Sequence, residues 1–200
     1  MNEAIIIFVR KPELGKVKTR LAASLGIEKA LEIYKELLLH TRQICERVKA
    51  DKFVYYHEQI EHNDLWDASG FDKKIQANAE LGEKMLRAFK EVFDAGYKKV
   101  LIIGSDCLQL TDRLITEALS LLDKNDTVVG PAKDGGYYLL GMKNLHNFLF
   151  ENKTWSSNNV FDETMKNAED HQLNMAVLPM LTDVDTEADW IASKTALHDL

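Results

Sequence analysis

Residues 4–20 read AIIIFVRKPELGKVKTR, and this stretch decides the fold class. Ala4–Val9 is a short, β-branched apolar run with no polar alternation, the pattern of a strand buried on both faces. It gives way at once to a loop, Arg10–Lys18, punctuated by Pro12 and Gly15. Arg10, Lys11, Lys16, Lys18 and Arg20 are opposed only by Glu13, so this segment carries +4 in a chain of net charge −7. A dense basic loop on an acidic protein suggests a local anionic ligand such as a phosphate group. A solvated basic surface loop is the plainer alternative.

Outward from this stretch, strand and helix patterns alternate. Ile27–Val48 is helical, with Leu31, Tyr34, Leu38, Thr41, Cys45 and Val48 on one face. Lys52–His57 reads as a second strand and Lys74–Gln76 as a short one. Glu80–Ala95 is a helix with Leu81, Met85 and Phe89 on one side, stopped by Gly96. Lys99–Ile103 repeats the buried-strand pattern and runs into Gly104-Ser105-Asp106. Thr111 caps a helix through Leu122. Asp126–Val129 and Tyr137–Met142 are strands, with Gly135-Gly136 marking a turn or a close backbone approach between them. Val160–His171 is a helix, Leu173–Leu178 a strand, and Thr186 caps a last helix, Glu187–Ala196. Alternation of this kind predicts an α/β fold with a mostly parallel sheet.

The 200 residues suit one domain spanning 1–200, with no internal repeat or linker. A chain of this length buries a core without disulfides. Two cysteines, Cys45 and Cys107, exclude a disulfide scaffold and a Cys-rich zinc site. No apolar run approaches the roughly 18 residues of a membrane span. Ala4–Val9 follows an acidic Glu3 and is too short for a signal peptide, so a soluble, reduced, cytoplasmic protein is expected. The acidic balance argues against a nucleic-acid or anionic-membrane partner.

Polar residues gather at strand ends, where ligands bind in open α/β sheets. The basic loop follows the first strand, Asp106 follows Lys99–Ile103, and Asp183 and Asp185 follow the last strand. Phosphate together with Mg²⁺ or Mn²⁺ would explain both signs of charge, since Mg²⁺ is commonly held by one or two carboxylates plus substrate phosphates. Each feature also has an ordinary reading: Thr19 as a helix cap, Asp106 as a turn carboxylate, Asp183 and Asp185 at a helix start. There is no P-loop, no GxGxxG and no GxSxG. His57 and His62 are spaced i, i+5 and do not share a helix face as zinc ligands would. The Asp183–Glu187 run resembles the start of an EF-hand but lacks the turn glycine, with Ala188 in its place, and the closing glutamate. Asp183-Val184-Asp185-Thr186 also resembles a haloacid-dehalogenase nucleophile motif, but it stands too late in the chain for that fold.

Six blocks, in order, resemble a bacterial family of small GT-A-like proteins. These are Phe8–Leu21 (FVRKPELGKVKTRL), Leu81–Met85 (LGEKM), Gly104–Cys107 (GSDC), Gly130–Tyr138 (GPAKDGGYY), Trp155-Ser156-Ser157 with Val160 and Thr164, and Asp183–Thr186 with Asp189. The family is related to nucleotide-diphospho-sugar transferases and to phospholactate guanylyltransferase, and some members carry a glycosyltransferase label. Leu108 departs from the family's usual proline after the cysteine.

The resemblance implies a GT-A-like three-layer α/β/α sandwich with a mostly parallel mixed sheet. It implies a nucleotide-phosphate cradle at Arg10, Gly15, Lys18, Thr19 and Arg20, with Lys18 and Arg20 on the diphosphate and Gly82 lining the base pocket. It implies metal contacts at Asp106 and Asp185, with Asp183 as a further one, and catalytic roles for Asp106, Lys18 and Asp185. Asp134, Gly135, Gly136, Tyr137, Trp155 and Ser156 would line the sugar or acceptor side, and Cys107 would be a packed residue rather than a nucleophile. The implied activity is a metal-dependent transfer of a glycosyl group from a nucleotide-diphosphate sugar to an unknown acceptor. The alternative is a nucleotidyltransferase joining an NTP to a small phosphorylated acceptor with release of pyrophosphate. From another class comes a non-catalytic nucleotide- or partner-binding protein.

Overall fold

The computed structural model describes residues 2–67, 70–151, 153–155 and 157–198. The opening apolar run forms β1 (Glu3–Val9), and both of its faces are covered. Ile5, Ile7 and Val9 enter one core, and Ala4 and Ile6 enter the other. The chain continues through α1 (Thr19–Leu25), α2 (Ile27–Arg47), β2 (Asp51–Tyr56), β3 (Phe71–Ile75), α3 (Leu81–Asp94), β4 (Lys99–Ile103) and α4 (Asp112–Leu121). It closes with β5 (Thr127–Pro131), β6 (Tyr137–Met142), a 3-10 turn at Asn147–Leu149, α5 (Val160–Asp170), β7 (Met175–Val177) and α6 (Glu187–His198).

The seven strands form one sheet in the order β3-β2-β1-β4-β6-β5-β7. β6 runs antiparallel to both of its neighbours, and the remaining pairs are parallel. The reversal follows from the tight turn that joins β5 to β6, closed by Ala132 N–H on the Gly136 carbonyl at 3.0 Å. α2 and α4 pack on one face through Tyr34, Leu38, Cys45, Ile115 and Ala118. α3 and α5 pack on the other through Met85, Phe89, Val92 and Ala168. The architecture is the expected three-layer α/β/α sandwich with a mostly parallel mixed sheet. Among the described residues no helix is long and apolar enough to cross a membrane.

Three local features differ from the sequence reading. β3 runs Phe71–Ile75 rather than Lys74–Gln76. Lys73 and Lys74 mask its apolar signal, and charged side chains are what an edge strand carries to discourage further pairing. The ordinary alternative of Thr19 as a helix cap does not hold, since Lys18 is the N-cap residue of the short α1, and Gly26 separates α1 from α2. The 3-10 turn at Asn147–Leu149 carries no periodicity to read.

The larger difference concerns α2, which is buried on two seams rather than one. Besides its sheet-facing residues, Ala30, Ile33 and Leu37 form a third apolar cluster with Leu21 of α1, Leu108 and Val184. Ala22, Leu25 and Trp190 of α6 pack against it. Leu108 and Val184 are 2% and 0% exposed, and they lie beside Asp106 and Asp185 in the chain. Leucine at 108 is therefore a packing residue that ties the turn after β4 to α2. Leu108→Ala is expected to cost about 2–5 kcal/mol, the range for truncating a buried leucine, read from the urea unfolding midpoint. An unchanged midpoint would show that the third cluster is not a structural brace.

Candidate active site

The carboxyl ends of β1, β2, β3 and β4 lie side by side, since Val9 pairs with Tyr56, Tyr56 with Ile75, and Ile7 with Ile103. The loops that leave β1 and β4 carry Arg10, Gly15, Lys18 and Asp106. Lys18 ends the basic loop in the left-handed region, at φ 48 and ψ 49. A non-glycine residue is strained there by about 1–2 kcal/mol. The turn directs its side chain inward, where it is 8% exposed. Its Nζ donates to Oδ2 of Asp106 at 3.1 Å and to Oδ1 of Asp185 at 3.0 Å. Arg20 approaches Oδ2 of Asp185 at 3.8 Å with its side chain 77% exposed, so it is free to turn toward an anion. One ammonium therefore joins loops that are far apart in sequence.

Burial works against the charge on Lys18, but the Asp106 and Asp185 carboxylates outweigh it and move its pKa up from 10.5. The stabilisation from this pairing is fully present below that ordinary value. It is lost as pH rises through the higher folded-state value.

Asp185 is placed by a route the sequence conceals. After β7 the chain does not simply connect to the last helix. It is stitched along β5, with Leu178 N–H on the Val129 carbonyl at 2.9 Å and Leu181 N–H on the Pro131 carbonyl at 3.0 Å. Thr182 N–H then donates to Oε1 of Gln109 at 2.9 Å, and Val184 N–H donates to the Asp106 carbonyl at 2.9 Å. The Asp189 carboxylate accepts from the Thr186 N–H at 2.8 Å, the Thr186 hydroxyl at 2.7 Å and the Asp185 N–H at 3.3 Å. Asp189 N–H returns to the Thr186 hydroxyl at 3.3 Å, a reciprocal cap at the start of α6.

Asp183 stands next to this pair as a half-buried residue with one shielded carboxyl oxygen. Its Oδ1 has no hydrogen-bond partner. Burial, then the neighbouring Asp106 and Asp134 charges, push its pKa well above the usual carboxylate range. Among the described residues no group of three or more His, Cys, Asp or Glu side chains is disposed to hold one metal ion. The all-oxygen pair of Asp106 and Asp185, already gathered around one positive centre, fits a hard divalent cation whose remaining ligands are substrate oxygens or water.

The other predicted residues fall in two places. Arg10 lies at the foot of the basic loop, and Gly15 lies at its tip with φ +75, where a Cβ would meet nothing within 4 Å. Its positive φ is what the turn requires of this glycine, and the space around it is open among the described residues. Thr19 is exposed in the first turn of α1. On the far side, a Cβ on Gly82 would lie 2.3 Å from the Trp155 indole, so the LGEKM and Trp155 blocks touch. The Tyr137 hydroxyl donates to Met85 Sδ at 3.7 Å on the same wall. Asp134 Oδ1 accepts from the Gly136 N–H at 2.9 Å, which makes it a turn carboxylate in this arrangement. Gly135 has φ +89, and a Cβ there would reach the Asn158 carbonyl at 2.0 Å. Turn and close approach thus coincide at one residue. Ser156 lies outside the described residues.

Cys107 is buried against the Thr182 carbonyl, and burial pushes its thiol pKa up, which is the opposite of an activated nucleophile.

A cavity of about 430 Å³ opens beside the basic loop, between Arg10, Lys11 and Lys16 on one side and Tyr56, His57 and Gln59 at the end of β2 on the other. This lies within the size range of small-molecule sites. A wider opening of about 520 Å³ between α5 and β7 contains none of the candidate residues. His57 faces Lys84 at 3.3 Å rather than His62. Sequence reasoning missed this contact, the Asp189 cap and the phenol of Tyr34, which meets the Arg10 backbone. The signal for Tyr34 was its type: a buried tyrosine seeks a partner for its hydroxyl.

A family model described as an uncharacterized protein conserved in bacteria, DUF2064, matches residues 40–157. A solved protein from Desulfovibrio desulfuricans G20, described provisionally as a nucleotide-diphospho-sugar transferase, is 33% identical, with a TM-score of 0.85 over 92% of this chain and 83% of that one. The 4-diphosphocytidyl-2C-methyl-D-erythritol synthase of Anaerococcus prevotii shares the fold at 13% identity, with a TM-score of 0.61 over 98% and 96% of the two chains. So does a manganese complex of Rv0371c from Mycobacterium tuberculosis H37Rv, at 11% identity and a TM-score of 0.56 over 96% and 98%. The comparison with curated proteins gives no match.

Lys18→Met is expected to lower the unfolding free energy by about 1–3 kcal/mol at pH 8, the scale of a hydrogen bond to a charged group. Urea titrations of both proteins should show the difference shrinking as pH rises above the ordinary lysine value of 10.5. A difference that stays constant with pH would mean that the ammonium charge is not what matters at this position.

Proposed function

The chain belongs to the DUF2064 family, and from that membership and the site geometry we propose that its 200 residues act as one GT-A-like, metal-dependent transferase domain. The substrate is a nucleotide-diphosphate sugar, and the glycosyl group passes to a small-molecule acceptor. The observation that carries this reading is the Lys18 ammonium held between Asp106 and Asp185 with Arg20 exposed beside them. The similarity to the Desulfovibrio protein supports it.

The charge at this point explains why a cation belongs in the reaction. Lys18 and Arg20 are balanced by Asp106 and Asp185, so the locus is near neutral and attracts a diphosphate poorly by itself. Asp106 and Asp185 would hold Mg²⁺ or Mn²⁺, which when bound supplies positive charge to the phosphate oxygens. Lys18 and Arg20 then have the diphosphate oxygens as partners. They stabilise negative charge as the leaving group departs, which is where a transferase of this kind gains rate. Lys18 is already largely desolvated, and it exchanges its carboxylate partners for diphosphate oxygens when the cation takes the carboxylates. Trp155 and Tyr137, with the Asp134–Gly136 turn, form the acceptor side, and Gly82, packed on Trp155, lines the base pocket. The enzyme is cytoplasmic and needs no nucleic-acid partner.

Nucleotidyl transfer from an NTP is the second reading. The cytidylyltransferase-type structures that share the fold favour it, and the same charges would serve. The product separates the two: a nucleoside diphosphate for the first, pyrophosphate for the second.

A thermal-shift panel with Mn²⁺ or Mg²⁺ and NDP-sugars, NDPs and NTPs tests both. A ligand at 100 times its Kd should raise the midpoint by roughly 5–11 °C for a domain of this size. A metal-dependent preference for one NDP-sugar supports glycosyl transfer, preference for one NTP supports nucleotidyl transfer, and no shift with any of them removes both. Asp106→Asn is expected to reduce turnover at least about 100-fold with the fold intact by circular dichroism, the scale of losing one charge-stabilising group. Retained turnover would take Asp106 out of the mechanism.

A further inference from the structure

Arg10 is the first residue past β1 and the first of the basic loop. Successive residues of a strand in a parallel sheet present their backbone groups to opposite neighbours. The Val9 carbonyl points toward β2 and accepts from His57 N–H at 3.1 Å. The N–H and carbonyl of Arg10 therefore point toward β4. There the ladder has already ended, at Ile7 opposite Ile103, while on the other side of β4 Gly104 N–H continues to the Tyr138 carbonyl of β6.

The Arg10 groups find a side chain instead of a strand. Arg10 N–H donates to the Tyr34 phenol oxygen at 3.0 Å, and the same hydroxyl donates to the Arg10 carbonyl at 3.1 Å. A phenol offers one donor and acceptor lone pairs, so it can serve both groups of one residue. Tyr34 is 5% exposed and lies in the fork where the Arg10 loop and the Gly104 loop part, with Ser105, Asp106 and Lys18 around its hydroxyl. On the other seam of the same helical turn, Ile33 and Leu37 pack in the cluster of Leu108 and Val184. One turn of α2 thus touches all three segments that build the site.

We propose that Tyr34 is the positioning residue for Lys18: its phenol replaces the strand partner that Arg10 lacks, fixes where the basic loop leaves the sheet, and so sets the ammonium onto Asp106 and Asp185. Tyr34 touches no substrate in this role. It acts through the loop.

The test needs no ligand. Trace acylation of the folded protein's lysines, read by mass spectrometry, reports how well Lys18 is held. In Tyr34→Phe, Lys18 is expected to react about tenfold faster, a change of the order of one hydrogen bond's net worth. Reaction at the other lysines should be unaltered. Tyr138→Phe is the control, because it also removes a phenol that donates to a backbone carbonyl, that of Pro179 at 2.9 Å. It should leave Lys18 as in the parent. An unchanged Lys18 rate in Tyr34→Phe overturns the proposal, and so does an equal rise in both variants, which would signal general loosening. If Tyr34→Phe does not fold, amide hydrogen exchange in the unaltered protein decides. The Arg10 amide should be protected to the level of β1, and exchange at the rate of an open loop overturns the proposal. Nucleotide binding adds an arm that rests on the function proposed above. Faster labelling with undiminished binding of a nucleotide and Mn²⁺ would keep Tyr34 as positioning residue and count against that function.

Discussion

An ammonium group shared by two carboxylates has to be held from three directions, and much of the architecture at the carboxyl edge of the sheet meets that requirement. Lys18, Asp106 and Asp185 come from the loop after β1, the turn after β4 and the segment after β7. Unheld, two carboxylates brought to one cation's reach would repel each other. The strained backbone at Lys18 is tolerated because the side chain gains two charge-assisted hydrogen bonds in return. Strain of this kind persists only where its surroundings over-determine it.

The surroundings are apolar. The cluster of Leu21, Ala30, Ile33, Leu37, Leu108 and Val184 lies along α2 and grips each of the three segments one to three residues from its charged member. Hydrogen bonding adds direction to this grip, through Val184 N–H on the Asp106 carbonyl and Asp189 on the backbone of Asp185 and Thr186. Apolar contacts supply non-directional adhesion, and backbone bonds fix the register. The site is polar at its surface and hydrophobic one layer down, so the Lys18 ammonium is shielded while the carboxylates stay open to a ligand.

How much of this was legible varied with the physics involved. β4 and β6 match their sequence reading at both ends, because buried central strands write themselves as unbroken apolar runs. Thr111 and Thr186 were legible as caps because a hydroxyl at a helix start has a local partner, three residues on in each case. β3 was misplaced because its lysines answer to its edge position rather than to its pairing. The second seam of α2 was missed because a helix packed on two sides blurs the single stripe that periodicity detects. Lys18, Asp106 and Asp185 could be nominated from charge and strand ends, but that one ammonium sits between the other two is a tertiary fact. Gln109 and Tyr34 act on backbone 73 and 24 residues away, so spacing carries no trace of what they hold, whereas the Thr186–Asp189 spacing is that of a reciprocal cap.

The Lys18–Asp185 pair spans 167 residues of sequence. Contacts that long carry the largest loop-closure entropy and form late, after the local helices and the neighbouring parallel pairs. The core of β1, β2 and β4 can be collapsed and the chain compact while this junction is still open. Competence and compactness are therefore separable, because bringing the three charges together asks more of the chain than collapsing its core.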